Sequence, residues 1–122
     1  MRTTAGRLAS GIGGLFFVTT GLWAFVSPGS FFQTVAPWEP YNAHFLRDAG
    51  AFSTGLGLGV VAALITRGRI SGLVAAAGGA SLHAISHVVD HGDGGRTTDP
   101  WLLGLLAVVL VGGLLVEWNS ER

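Results

Sequence analysis

The residues best equipped for chemistry in this chain are its four histidines and the carboxylates spaced among them. His83, His87 and His91 recur every fourth residue in SLHAISHVVDHGDGG, and His44 precedes Asp48 by the same interval. In a helix that interval stacks side chains along one face. Imidazoles stacked in this way and met by a carboxylate from a second helix form a ligand set for zinc, iron or copper. The same imidazoles, with Arg47 as a further donor, can hydrogen-bond the carbonyls of a quinone. A row of imidazoles also suits proton transfer, because histidine titrates near neutral pH. The plain alternative is structural: imidazoles near a membrane interface bond to backbone and headgroups and carry out no chemistry. The spacing is not the HExxH of zinc proteases, since no glutamate adjoins these histidines.

Composition says what must position these groups. The chain has 122 residues, enough for one domain (1–122), and is 49% hydrophobic and only 11% charged. Soluble domains carry about 25% charged residues, so most of this surface faces something other than water. Lysine and cysteine are both absent. Without cysteine there are no disulfides or thiolate sites, and any metal would rest on imidazole and carboxylate. The net charge is zero with no basic patch, which argues against a nucleic-acid partner.

Four apolar runs, 8–27, 46–66, 70–89 and 100–116, approach the roughly 20 residues that a membrane-spanning helix needs. The expected fold is therefore all-α, a transmembrane four-helix bundle in contact with the lipid bilayer. The first run is longer than a signal-peptide core and lacks an A-x-A-like cleavage site, so a retained helix is expected. Arg2, Arg7, Arg67, Arg69 and Arg122 fall on one side, against Arg47 and Arg96 on the other. By the positive-inside rule both termini are cytoplasmic. Trp23 and Trp101 then fall at the outer interface and Trp118 at the inner one. The aromatic loop FFQTVAPWEPY is expected to lie on the membrane surface. Gly55 and Gly59, with Ala76, Gly79 and Ala80 of the next helix, suit close packing within the monomer or a homo-oligomer interface.

The short TRGR loop makes the second and third spans an antiparallel hairpin. With Gly68 as its midpoint and equal rise in both helices, His44 and Asp48 stand level with His87 and His91. Facing each other, these four would form one metal site, with Asp90 or Asp93 orienting an imidazole from behind. His83 lies a turn deeper, and Arg47 would bind a carbonyl or anionic group or neutralise Asp48. The ionisable residues His44, Arg47, Asp48, His83, His87, Asp90, His91, Asp93 and Asp99 all fall toward the outer end, and the inner half is expected to hold essentially none. Ionisable groups inside a membrane are costly and mark functional sites by default.

The stretch YNAHFLRDAGAFSTGLGL, with the histidine segment His83 to His91, resembles a group of small four-helix bacterial membrane proteins loosely grouped with the DoxX-like superfamily. Their Y-N-x-H-x-x-R-D-x-G signature corresponds here to Tyr41, Asn42, His44, Arg47, Asp48 and Gly50. The resemblance implies a multi-pass protein of the bacterial cell membrane in which the two polar motifs belong together. DoxX itself is a membrane subunit of a thiosulfate:quinone oxidoreductase, a role that does not transfer on fold alone. The sequence thus points to binding of a divalent metal or a quinone-like redox ligand at the outer end of the second and third spans, without assigning a reaction. The rival reading is a non-catalytic accessory or assembly subunit that docks another membrane protein. A transporter ranks below both, because four helices enclose little volume.

Overall fold

The computed structural model describes residues 3–66 and 68–122; Arg2 and Arg67, two of the arginines that set the expected orientation, lie outside it with Met1. Its described residues are all-helical, with α1 at Thr4–Val26, α2 at Pro28–Thr34, α3 at Ala43–Ile65, α4 at Arg69–Val89 and α5 at Asp99–Ser120. All but α2 are long and apolar enough to cross a membrane. The helices outrun the apolar runs because their ends are set by caps. Thr3 accepts from the Gly6 amide at 3.0 Å and Asn42 from the Phe45 amide at 3.0 Å, so α1 and α3 begin before their apolar runs. Pro28 and Pro100 occupy the first turns of α2 and α5, where a missing amide hydrogen costs nothing.

Around the bundle α1 lies between α3 and α5, and α4 also lies between α3 and α5, so α3 and α5 hold opposite corners. The core is built from Ala9, Phe17, Val60, Leu73, Ala76, Ala80 and Leu110. Large side chains such as Leu15, Leu58, Leu82, Leu105 and Val108 point outward, as expected of lipid-facing positions. The most extensive helix contact is α1 with α3, and glycine makes it possible. A Cβ added at Gly21 would stand 2.5 Å from the Thr54 amide nitrogen, and one at Gly50 would stand 2.6 Å from the Gly21 carbonyl oxygen. Gly57 meets Val18 in the same way one heptad further along α3. The expected pair behaves differently: Gly55 and Gly59 face open space, and the hairpin packs instead through Gly72 against Ala63 and Val60 and through Gly79 against Leu56.

Both termini lie at one end, where a buried charged group ties the chain together. Glu117 is fully buried and accepts from Arg69 Nε at 2.8 Å and from the Thr3 amide at 3.1 Å. The Thr3 hydroxyl donates to the same carboxylate, and Arg69 Nη2 stands 2.6 Å from Oε1. This corrects the expectation that the terminal half of the bundle lacks ionisable groups. Helix α5 continues past the apolar run and turns Glu117 inward, where Gly6 leaves room for its carboxylate.

Candidate functional site

At the end opposite the termini, a cleft of about 650 Å³ opens between the helices. Its walls are apolar and aromatic, from Phe16 and Phe17 of α1, Phe31 and Phe32 of α2, and Phe45 and Phe52 of α3. The polar side comes from His83 and His87 of α4 and from Asp99 at the first turn of α5. A volume of this size suits a small organic molecule, and such sites are characteristically apolar with a few placed polar groups.

The segment between α1 and α3 was expected to lie on the membrane surface. It forms a roof over the cleft: α2 carries Phe31 and Phe32 into it, followed by Val35, Ala36 and Trp38. Trp23 meets Phe31 edge-on at 5.8 Å, which fixes the angle between α1 and α2. Trp38 meets the His87 ring edge-on at 5.4 Å and rests on the α4–α5 loop. That contact explains Gly95, whose φ is +75° and whose added Cβ would reach within 2.6 Å of the indole. Only glycine satisfies both demands. The Arg96 guanidinium, which donates to the Gln33 carbonyl at 3.4 Å, adds a second tie between roof and loop.

The polar groups form a short chain. Asp99 Oδ2 accepts from the Arg96 amide at 2.8 Å and lies 3.9 Å from His87 Nδ1. On its far side, His87 Nε2 is 3.2 Å from His83 Nε2. The side chains of His87 and Asp99 are only 15% and 14% exposed, so their attraction is little screened by water. A carboxylate beside Nδ1 favours the tautomer with its hydrogen there, and Nε2 of His87 then accepts from His83. The one ring nitrogen left to His83 for an occupant is Nδ1.

The residues singled out from sequence divide into two groups. His83 and His87 line the cleft together. His44 and Asp48 pair with each other at 3.4 Å on the outside of α3, with side chains 86% and 60% exposed, and Arg47 beside them is exposed too. His91 is exposed in the turn beyond α4, with Asp93 exposed after it and Asp90 half-buried at the helix end. Among the described residues no group of three or more His, Asp or Glu side chains is arranged to hold a metal ion. The expected four-ligand set of His44, Asp48, His87 and His91 is thus not assembled. Equal depth in a hairpin does not fix rotation about the helix axes, and α3 leaves His44 and Asp48 exposed and paired with each other. Asp99 and Trp38 are the partners that the sequence reading left out. Asp99 had a signal, an acidic residue opening a helix just after the histidine segment; Trp38 had none, because its position depends on how the roof folds.

No protein-family model, curated protein or solved structure matches this chain. The fold and the apolar cleft define a class, a multi-pass helical membrane protein with a polar imidazole pair set in an aromatic cavity.

Proposed function

We propose that this protein binds a quinone-like redox ligand, with the ring among the aromatic walls of the cleft and a ring oxygen at His83. The observation that carries this reading is the His83–His87–Asp99 chain set into an otherwise apolar cavity. A polar chain that runs from the shielded Asp99 and His87 to an exposed His83 suits a flat, apolar molecule with one or two hydrogen-bonding oxygens. With His87 neutral, His83 Nδ1 accepts, which matches a quinol hydroxyl. With one more proton on the pair it donates, which matches a quinone carbonyl. The reading makes no use of His44, Arg47, Asp48 or His91. A bound zinc, iron or copper ion draws no support from the donor set, because those residues stand apart from His87. The cytoplasmic placement of the termini and the DoxX-like affinity belong to the same proposal, on the arginine bias and the Y-N-x-H-x-x-R-D-x-G stretch.

In detergent solution, a benzoquinone is expected to quench Trp38 saturably, with Trp38→Phe as the control that assigns the signal. His83→Ala should raise the Kd about fivefold to tenfold, the worth of about 1 to 1.4 kcal/mol for one hydrogen bond. Equal affinity in wild type and His83→Ala would remove the histidine pair from the site. The accessory-subunit reading draws on one observation, the exposed His44–Arg47–Asp48 group on α3. It expects Asp48→Ala to lower recovery of a partner membrane protein while leaving quinone binding intact.

A further inference from the structure

The face of α3 that packs on α4 near the hairpin becomes exposed higher up, and the two helices part there. Ala63 and Val60 lie against Gly72, and Leu56 lies against Gly79. Continuing along the stripe from Ala63 and Leu56 at intervals of three and four residues come Phe52, Ala49 and Phe45. All three line the cleft, yet Phe52 is 82% and Phe45 66% exposed, and Ala49 is exposed as well. On α4 the stripe through Gly72 and Gly79 continues to His83 and Ser86, both exposed. From Gly79 to the end of α4 at Val89, about 15 Å of helix at 1.5 Å per residue, the seam is an open slot.

We infer that this slot is a lateral doorway through which the occupant enters from the bilayer, and that the occupant is a lipid-dissolved quinone whose alkyl or isoprenoid tail remains in the slot. The inference rests on the quinone reading above. Three features carry it. The α3 side of the slot is phenyl rings and alanine, which suit an apolar tail, and its polar groups, His83 and Ser86, lie on the α4 side. It lies along helices long and apolar enough to be embedded in hydrocarbon. The route through the loops is covered by the roof, where Trp38 rests on the Gly94–Gly95 turn and Arg96 holds the Gln33 carbonyl. His83 stands where slot and cleft meet, so a head entering sideways reaches the imidazole pair first while its tail trails into lipid.

The test uses two probes, a tail-less dimethylbenzoquinone and the same head carrying a decyl tail, titrated calorimetrically into the detergent-solubilised full chain. Two plugs are placed at exposed positions on opposite walls, Ala49→Trp and Ser86→Trp, and their folding is checked by circular dichroism and gel filtration. The expected result is a Kd for the tailed probe raised tenfold or more in each variant, with the tail-less Kd changed less than twofold in Ser86→Trp. Unchanged affinity for the tailed probe in both variants would overturn the doorway, as would equal loss of both probes in Ser86→Trp, which lies outside the cavity wall. Binding of neither probe by wild type would remove the quinone reading and the doorway with it. Loss of tailed-probe affinity in one plug variant alone would overturn a slot bounded by both helices.

Discussion

Glu117→Ala is expected to destabilise the bundle by about 3 to 5 kcal/mol, the cost of removing one partner from a buried ion pair. Glu117 has no exposed surface, and the Arg69 side chain is 6% exposed. Without the carboxylate, Arg69 keeps its charge in a space that offers no substitute. Among the described residues its Nη1 is already buried without a partner, so they offer the guanidinium no second acceptor. The Thr3 amide and hydroxyl would lose their acceptor at the same time, loosening the start of α1. Three distant pieces of chain meet at this carboxylate: the first turn of α1, the start of α4 and the last turns of α5. The measurement is the midpoint of unfolding in mixed micelles with rising sodium dodecyl sulfate. The double variant Arg69→Met, Glu117→Leu is the control, since it removes both charges and leaves none uncompensated. It should recover most of the loss. Equal destabilisation in the single and double variants would mean that the pair matters for its shape and not its charge.

Replacing Gly50 by alanine should cost about 2 to 3 kcal/mol, at the upper end for overpacking by a single methyl group. The added carbon would sit 2.6 Å from the Gly21 carbonyl oxygen and 2.7 Å from the Phe25 amide nitrogen. Both obstacles are backbone, so α1 and α3 would have to move apart along their whole contact. Gly55→Ala, five residues on, meets nothing within 4 Å and should be neutral or stabilising by up to about 1 kcal/mol through helix propensity. The same unfolding assay reads both. A Gly50→Ala protein as stable as Gly55→Ala would show that the close α1–α3 approach is not needed. Because Gly50 lies beside the cleft, its variant should also weaken quinone binding, whereas Gly55→Ala should leave it unchanged.

These glycines show where the sequence was legible and where it was not. Four long apolar runs announced four membrane-length helices, because hydrogen-bonded backbone and apolar side chains are local requirements for crossing a bilayer. Which glycines bring helices together was not legible. Gly55 and Gly59 have the familiar four-residue interval, but Gly50 and Gly57 do the packing, a heptad apart on a face turned toward α1. The partner of α3 is set by the arrangement of all four helices, and no interval within α3 contains that information. The histidines divide in the same way. His83 and His87 could be placed together from their spacing alone, since i and i+4 share a helix face. Their companions could not. Asp99 reaches His87 from the next helix, and Trp38 reaches it from a segment that reads as an interfacial loop.

What the sequence determined by itself is the all-helical, membrane-compatible character, the hairpin of α3 and α4, and a stacked imidazole pair near the end of α4. All of these follow from interactions within a few residues of chain. Rotation of each helix about its axis was decided only by the tertiary structure. That rotation sends His44 and Asp48 outward, brings His87 to Asp99, and turns Glu117 inward to Arg69 and Thr3. The physical reason is that a helix fixes the angles between its own side chains but not its orientation toward its neighbours. In an apolar sequence many orientations bury similar area, and the choice falls to the few places where glycines let backbones touch and a buried charge must find its partner.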